Sequence, residues 1–222
     1  MKNLNDITVV IVTYKTNEKI IFDCLKSINP QVKVLIIENS KNFAHDKKIL
    51  SNFPNTKVFC SGENLGYGKG NNYGLKLVES KYALILNPDV ICEKDFFNNI
   101  VDVVNQTKDF TIIGCQYLNE EIDLCKSIIK KGENIFTSQK LKIHHLGCKS
   151  STDENANDNT NLNKVREWHW MWSSFYFYKK NYNYLYALYQ MFGKFIKSLI
   201  KLFFYSVTFQ KNKKEKYLYR FL

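Results

Sequence analysis

A chain of 222 residues, 45% hydrophobic and 24% charged, is long enough to bury one good core and too apolar to remain disordered. Its net charge of +11 is concentrated: from Asn163 onward 12 Lys and Arg stand against 2 Glu, whereas the preceding residues carry 20 basic and 19 acidic side chains. Six cysteines (Cys24, Cys60, Cys92, Cys115, Cys125 and Cys148) are scattered without a Cys-x-x-Cys pair, which excludes a disulfide framework or a zinc site and predicts reduced core residues.

Residues 1–6 are short and polar, so no leader is read there and a cytoplasmic protein is expected. Residues 7–12 (Ile-Thr-Val-Val-Ile-Val) form a β-branched run that ends in Thr13-Tyr14-Lys15. Residues 18–29 carry Ile21, Cys24, Leu25 and Ile28 at helical spacing. A second strand is predicted over residues 32–37, running into Glu38-Asn39-Ser40, and a third over 57–60. The glycine-rich stretch 66–72 reads as a loop before a helix over 71–80. Nearly continuous apolar strands alternating with helices predict an α/β fold with a largely parallel sheet.

The run Leu84-Ile85-Leu86-Asn87-Pro88-Asp89-Val90 is the most informative stretch. An aspartate just past a buried strand lies where open α/β sheets bind ligands, outside the carboxyl ends of the strands, and there it can hold a divalent metal. Farther on, residues 112–114 read as a strand and 124–131 as a helix stopped at Lys131-Gly132. A strand over 142–146 then places His144 and His145 on opposite faces.

Residues 66–72 (Gly-Tyr-Gly-Lys-Gly-Asn-Asn) satisfy neither a P-loop, which needs Ser or Thr after Gly-Lys, nor a dinucleotide fingerprint, which needs glycine where Asn71 stands. The motifs taken in order do resemble one family. They are Val9 to Tyr14, Ile37-Glu38-Asn39-Ser40, Asn64-Leu65-Gly66 with Gly70, Asn71, Asn72 and Gly74, Leu86-Asn87-Pro88-Asp89, Glu120 to Lys126, and His144 to Gly147. Together they are similar to the family 2 glycosyltransferases of GT-A fold, in the rhamnosyltransferase-like branch that builds bacterial surface polysaccharides.

That resemblance implies a GT-A nucleotide-binding sheet, mixed but mostly parallel, with flanking helices. It implies inverting transfer from a UDP-, dTDP- or GDP-linked sugar to a glycan or lipid-linked acceptor, assisted by Mg²⁺ or Mn²⁺. Thr13, Tyr14, Glu38, Asn64, Gly66, Gly70, Asn71 and Asn87 would bind the donor nucleotide, and Asp89 with His145 would hold the metal. Glu121 would be the general base, with Glu120 and Asp123 orienting. Between the strand at 112–114 and the acids at 120–123 the family has several tens of residues that shape the acceptor side; here residues 115–119 replace them. A shortened relative that binds a sugar nucleotide without transferring it is therefore the alternative reading.

Residues 1–148 are expected to form the nucleotide-sugar-binding body, 149–164 a flexible polar linker, and 165–222 a basic aromatic helical tail. Residues 185–209 are uncharged except for Lys194, Lys197 and Lys201, which fall on one helical face. Three lysines argue against a spanning helix and suit one lying in the interface of an anionic membrane, on the cytoplasmic face of the inner membrane; an amphipathic helix packed on the body or against a second subunit is the alternative. The charge and the aromatics suggest a basic nucleic-acid-binding protein as a second, weaker alternative; no nucleic acid is expected, because the basic residues are confined to this tail and no RNA-binding motif accompanies them.

Overall fold

The computed structural model describes residues 3–115, 122–147 and 156–221. The chain divides into two compact units, Met1–Asp153 and Glu154–Leu222.

In the first unit the strands β1 (Ile7–Thr13), β2 (Lys33–Glu38), β3 (Thr56–Cys60) and β4 (Tyr82–Leu86) form one sheet in the order β3-β2-β1-β4. Every pairing in it is parallel, as the β-branched runs predict. All seven residues of β1 are buried, because helices cover both faces of the strand. On one face Ile7, Val9 and Ile11 meet Ile21, Cys24 and Leu25 of helix α1 (Glu18–Lys26) in the main core. That core also takes in Ile49 of α2 (Asp46–Asn52) and Phe96, Phe97, Ile100 and Val103 of α4 (Phe96–Gln106).

On the other face Val10, Val12 and Ile37 form a smaller cluster beneath α3 (Gly66–Lys76). This helix corrects the expected loop at 66–72, since Gly66 to Asn72 are its first two turns. The glycines serve packing. A Cβ on Gly70 would stand 2.8 Å from Val12 Cγ1, and one on Gly74 only 2.4 Å from Val10 Cγ1 and 3.0 Å from Ile37 Cγ1. Close approach to the sheet offsets the roughly 1 kcal/mol that each glycine costs a helix.

Two small sheets complete the unit. β5 (Val90–Cys92) pairs antiparallel with β8 (Ile143–His145), and β6 (Ile112–Gly114) pairs parallel with β7 (Ile135–Thr137). Between β6 and β7 lies α5 (Ile122–Lys130), which stops at Gly132 in the left-handed conformation (φ +76°). Cys24 and Cys92 are free and buried; burial holds the Cys24 thiol far above its ordinary value and pushes Cys92 up to about 12. Cys60 departs from the expectation, being exposed at the end of the outer strand β3.

The second unit consists of α6 (Ala156–Asn181), α7 (Tyr184–Val207) and α8 (Lys211–Phe221), each packed against the other two. The predicted linker is thus helical from Ala156, since Asn and Asp, poor inside helices, are favoured near a helix start.

Two of the three lysines of α7, Lys194 and Lys201, turn inward. Lys194 Nζ lies 5.0 Å from the Trp170 ring, and Lys201 Nζ lies 5.2 Å from the Tyr217 ring and donates to its hydroxyl at 3.1 Å. Arg220 sits 4.5 Å over Trp170 and pairs with Glu167, which Lys216 also reaches at 3.1 Å. Among the described residues no helix is long and apolar enough to cross a membrane.

Candidate functional site

Three strand ends bring the predicted residues to one edge of the parallel sheet. The register sets Thr13, last in β1, beside Glu38, last in β2. Thr13 Oγ1 donates to Glu38 Oε2 at 2.6 Å, and the Lys15 amide donates to Oε1 at 3.1 Å. Glu38 is fully buried. Both of its oxygens are therefore engaged within the chain, and the carboxylate acts as a clamp on the Thr13-Tyr14-Lys15 turn. The clamp has work to do, because Lys15 is held at φ +49°, a conformation that costs a non-glycine residue about 1–2 kcal/mol. Tyr14, half-buried, carries the Lys15 ammonium 5.6 Å from its ring centre.

A chain of side chains links β2 to α3 and to the turn after β4. Asn64 Oδ1 accepts the Gly66 amide at 3.0 Å and fixes the glycine turn (φ +75°) from which α3 starts. The Gly66 carbonyl accepts from Asn39 Nδ2 at 3.2 Å. Tyr67 Oη donates to Asn87 Oδ1 at 2.7 Å. Gly70 and Asn71 are buried one turn farther along α3. The side-chain oxygens of Asn39 and Asn71 are buried and accept no hydrogen bond, an expensive condition that native proteins tolerate at few places.

Asp89 is 1% exposed, so the strand-end acid is an interior group and not a surface carboxylate. The β5–β8 pairing brings His145 opposite Val90, and the Leu146 amide donates to the Asp89 carbonyl at 2.9 Å. His145 Nε2 then lies 3.3 Å from Asp89 Oδ1 with 45% of its side chain open to solvent. The neighbouring His144 points the other way, 3.4 Å from Glu93, as strand alternation predicts. The Cys24 thiol, kept protonated by burial, donates to the Asn87 carbonyl at 3.7 Å and ties α1 to the same turn.

Among the described residues no three His, Cys, Asp or Glu side chains form a metal shell. Magnesium and manganese commonly bind through one or two carboxylates plus substrate phosphates; Asp89 supplies such a carboxylate, and His145 stands 3.3 Å from it. Of the predicted acids, Asp123 is half-buried in the first turn of α5, where its carbonyl accepts from Ser127 Oγ at 2.8 Å. Glu120 and Glu121 lie outside the described residues.

Two residues of this edge were not singled out as site residues from the sequence. Asn39 adjoins Glu38, so its signal was its place at the end of β2; Tyr67 had none, because its contact with Asn87 depends on where the start of α3 lands.

The glycosyl transferase family 2 model matches residues 8–167. The low-salt glycan biosynthesis hexosyltransferase Agl10 of Haloferax volcanii is 26% identical over 122 residues, 53% of this chain and 38% of that protein. The minor teichoic acid biosynthesis protein GgaB of Bacillus subtilis is 30% identical over 63 residues, 28% of this chain and 7% of that protein. The chain matches well under half the length of either relative. The crystal structure of S. aureus TarS superposes at a TM-score of 0.43 and 19% identity, over 51% of this chain and 22% of that one.

Proposed function

The chain belongs to glycosyl transferase family 2, and from that premise we propose that it transfers a hexosyl or rhamnosyl group from a nucleotide-sugar donor to a surface-glycan or lipid-linked acceptor, with inversion. The observation that carries this reading is the meeting of Asp89 and His145 at the carboxyl end of the parallel sheet, beside the Thr13–Glu38 clamp. The donor is a UDP-, dTDP- or GDP-linked sugar. Its nucleotide lies against Thr13, Tyr14, Asn64, Gly66, Gly70, Asn71 and Asn87, and a ring N–H or ribose hydroxyl pairs with the vacant amide oxygen of Asn71. Glu38 contributes by fixing the turn that meets the base.

Asp89 and His145 would hold Mg²⁺ or Mn²⁺, and the cation would supply neutralisation of the charge on the leaving diphosphate. Glu121 takes the proton from the acceptor hydroxyl while Glu120 and Asp123 orient it. The acceptor oxygen bonds to the anomeric carbon as the bond from that carbon to the phosphate oxygen breaks. We take the acceptor to be met at the cytoplasmic face of a membrane, with the protein peripheral to it.

A second reading is favoured by the brevity of the segment between Gly114 and Asn119: donor binding without transfer. Donor affinity, donor hydrolysis and transfer to lipid extracts, measured in the wild type and in Glu121→Gln, separate the two. Transfer falls by roughly 10²- to 10⁴-fold in Glu121→Gln with affinity unchanged if Glu121 is the base. A wild type that binds donor yet neither hydrolyses nor transfers it, and is indistinguishable from the variant, overturns the enzyme reading in favour of binding alone.

A further inference from the structure

The face that α7 keeps toward its own unit is a narrow one, with Ala187, Met191 and Ser198 buried and Lys194 and Lys201 set against aromatic rings of the neighbouring helices. Its opposite face carries Leu185, Tyr189, Phe192, Ile200, Phe203 and Val207, each at least 60% exposed. Spacings of three, four and eight align these six along one side of the helix. At 24 residues α7 is about 36 Å long, so the six side chains form one continuous exposed apolar strip, the kind of contiguous patch that marks an interaction surface.

From this arrangement we infer that the outward face of α7 is a lipid-docking surface, on which the second unit lies in the interfacial plane of an anionic bilayer. The inference rests on the membrane-surface part of the function proposed above and is independent of donor chemistry. Charge selects the occupant. From Asn163 onward the chain carries 12 basic against 2 acidic residues, and Lys197, Lys211, Lys213 and Lys214 are exposed. Pairing two copies through α7 would set one cationic unit against another, whereas phosphate headgroups are of opposite sign. Phe and Tyr along the stripe suit the depth of the acyl–headgroup boundary. A helix of this kind, too polar on its inner side to span, lies flat. The inward lysines therefore do not meet lipid; the cations that do so are those left exposed.

The test is flotation of the full chain with phosphatidylcholine vesicles containing about a quarter phosphatidylglycerol, and with pure phosphatidylcholine. The wild type should float with the anionic vesicles and bind the neutral ones at least tenfold more weakly. The double variant F192S/F203S, which changes only exposed side chains, should lose at least tenfold in binding while keeping its helical circular dichroism. The variant K211E/K214E should lose the preference for anionic lipid. Binding of UDP-, dTDP- and GDP-sugars with manganese is measured on the same proteins without vesicles, so that failure there counts against the donor reading and leaves docking judged by flotation alone. A wild type that does not float, or an F192S/F203S variant that floats equally well, overturns the proposal. So does a wild-type dimer in sedimentation that F192S/F203S converts to monomer without any vesicle binding, which would assign the face to a second copy.

Discussion

In the first unit β1 buries all seven of its residues, and the helices on either side turn their apolar faces toward it. In the second unit α7 buries Ala187, Met191 and Ser198 and leaves Phe192, Phe203 and Val207 in solvent. The charged groups follow the reverse course: Lys194, Lys201 and Arg220 sit on aromatic rings within the helical unit. Composition alone does not decide which side of an amphipathic helix faces inward. A parallel sheet offers enough apolar surface to cover both sides of a central strand, whereas three helices pack through whatever rows their contacts allow. Cations over tryptophan and tyrosine faces, worth about 0.5–2 kcal/mol each, serve there in place of aliphatic packing.

The largest effect expected from breaking this contrast is on ligand binding in the first unit. Asp89→Ala should weaken manganese-dependent sugar-nucleotide binding roughly ten- to a hundredfold, the worth of a contact to a charged group of about 1.5–3 kcal/mol, with the circular dichroism unchanged. Equal manganese-dependent affinity in calorimetric titrations of variant and wild type would remove Asp89 from the metal site.

One substitution should have opposite signs in the two units. Gly74→Ala puts a methyl group 2.4 Å from Val10 Cγ1, in a cluster where Val10 and Ile37 are wholly buried, so α3 must lift off the sheet at a cost of about 1–3 kcal/mol. Gly193→Ala, in α7 with nothing within 4 Å of the new Cβ, should stabilise by about 0.5–1 kcal/mol through helix propensity. Urea denaturation of both variants gives the signs directly; a Gly193→Ala that destabilises would mean that the apolar face around it is occupied in solution.

The smallest effect belongs to the surface of the first unit. Lys48, with help from His45, holds the Glu18 carboxyl below its ordinary value. A carboxylate with a lowered folded value contributes stability that is full above its unfolded titration and lost as pH falls through the folded one. Lys48→Ala should move the Glu18 titration, followed by carboxyl NMR shifts, back toward the ordinary value and flatten the acid limb of stability slightly. No upward movement would mean that His45 and not Lys48 sets it.

The parallel sheet was legible because β-branched runs buried on both faces leave a composition that little else produces, and Asp89 because a proline turn marks where its strand ends. Alternation in a short strand made legible that His144 and His145 face opposite ways. Residues 66–72 were misread because glycine propensity argues for a loop, while the close contacts of Gly70 and Gly74 with Val12 and Val10 exist only once α3 lies on the sheet. The engagement of Glu38 was hidden for a similar reason, since it follows from the register that sets Thr13 beside it. In α7 the lysine spacing was readable, but periodicity defines a face without saying which face is covered.

The pairing of Val90 with His145 spans 55 positions of chain. The four-stranded sheet is complete by Leu86, so everything needed to build the Thr13–Glu38 clamp precedes everything needed to finish the corner at Asp89. Loop-closure cost rises only logarithmically with length, which makes so distant a partner affordable. A chain cut between Gln106 and Ile143 would retain all four strands and the core helix α4, while Asp89 lost both the histidine beside it and the amide of Leu146. Scaffold and Asp89–His145 corner are thus separable along the chain, and correct folding of the sheet is no guarantee that the corner has closed.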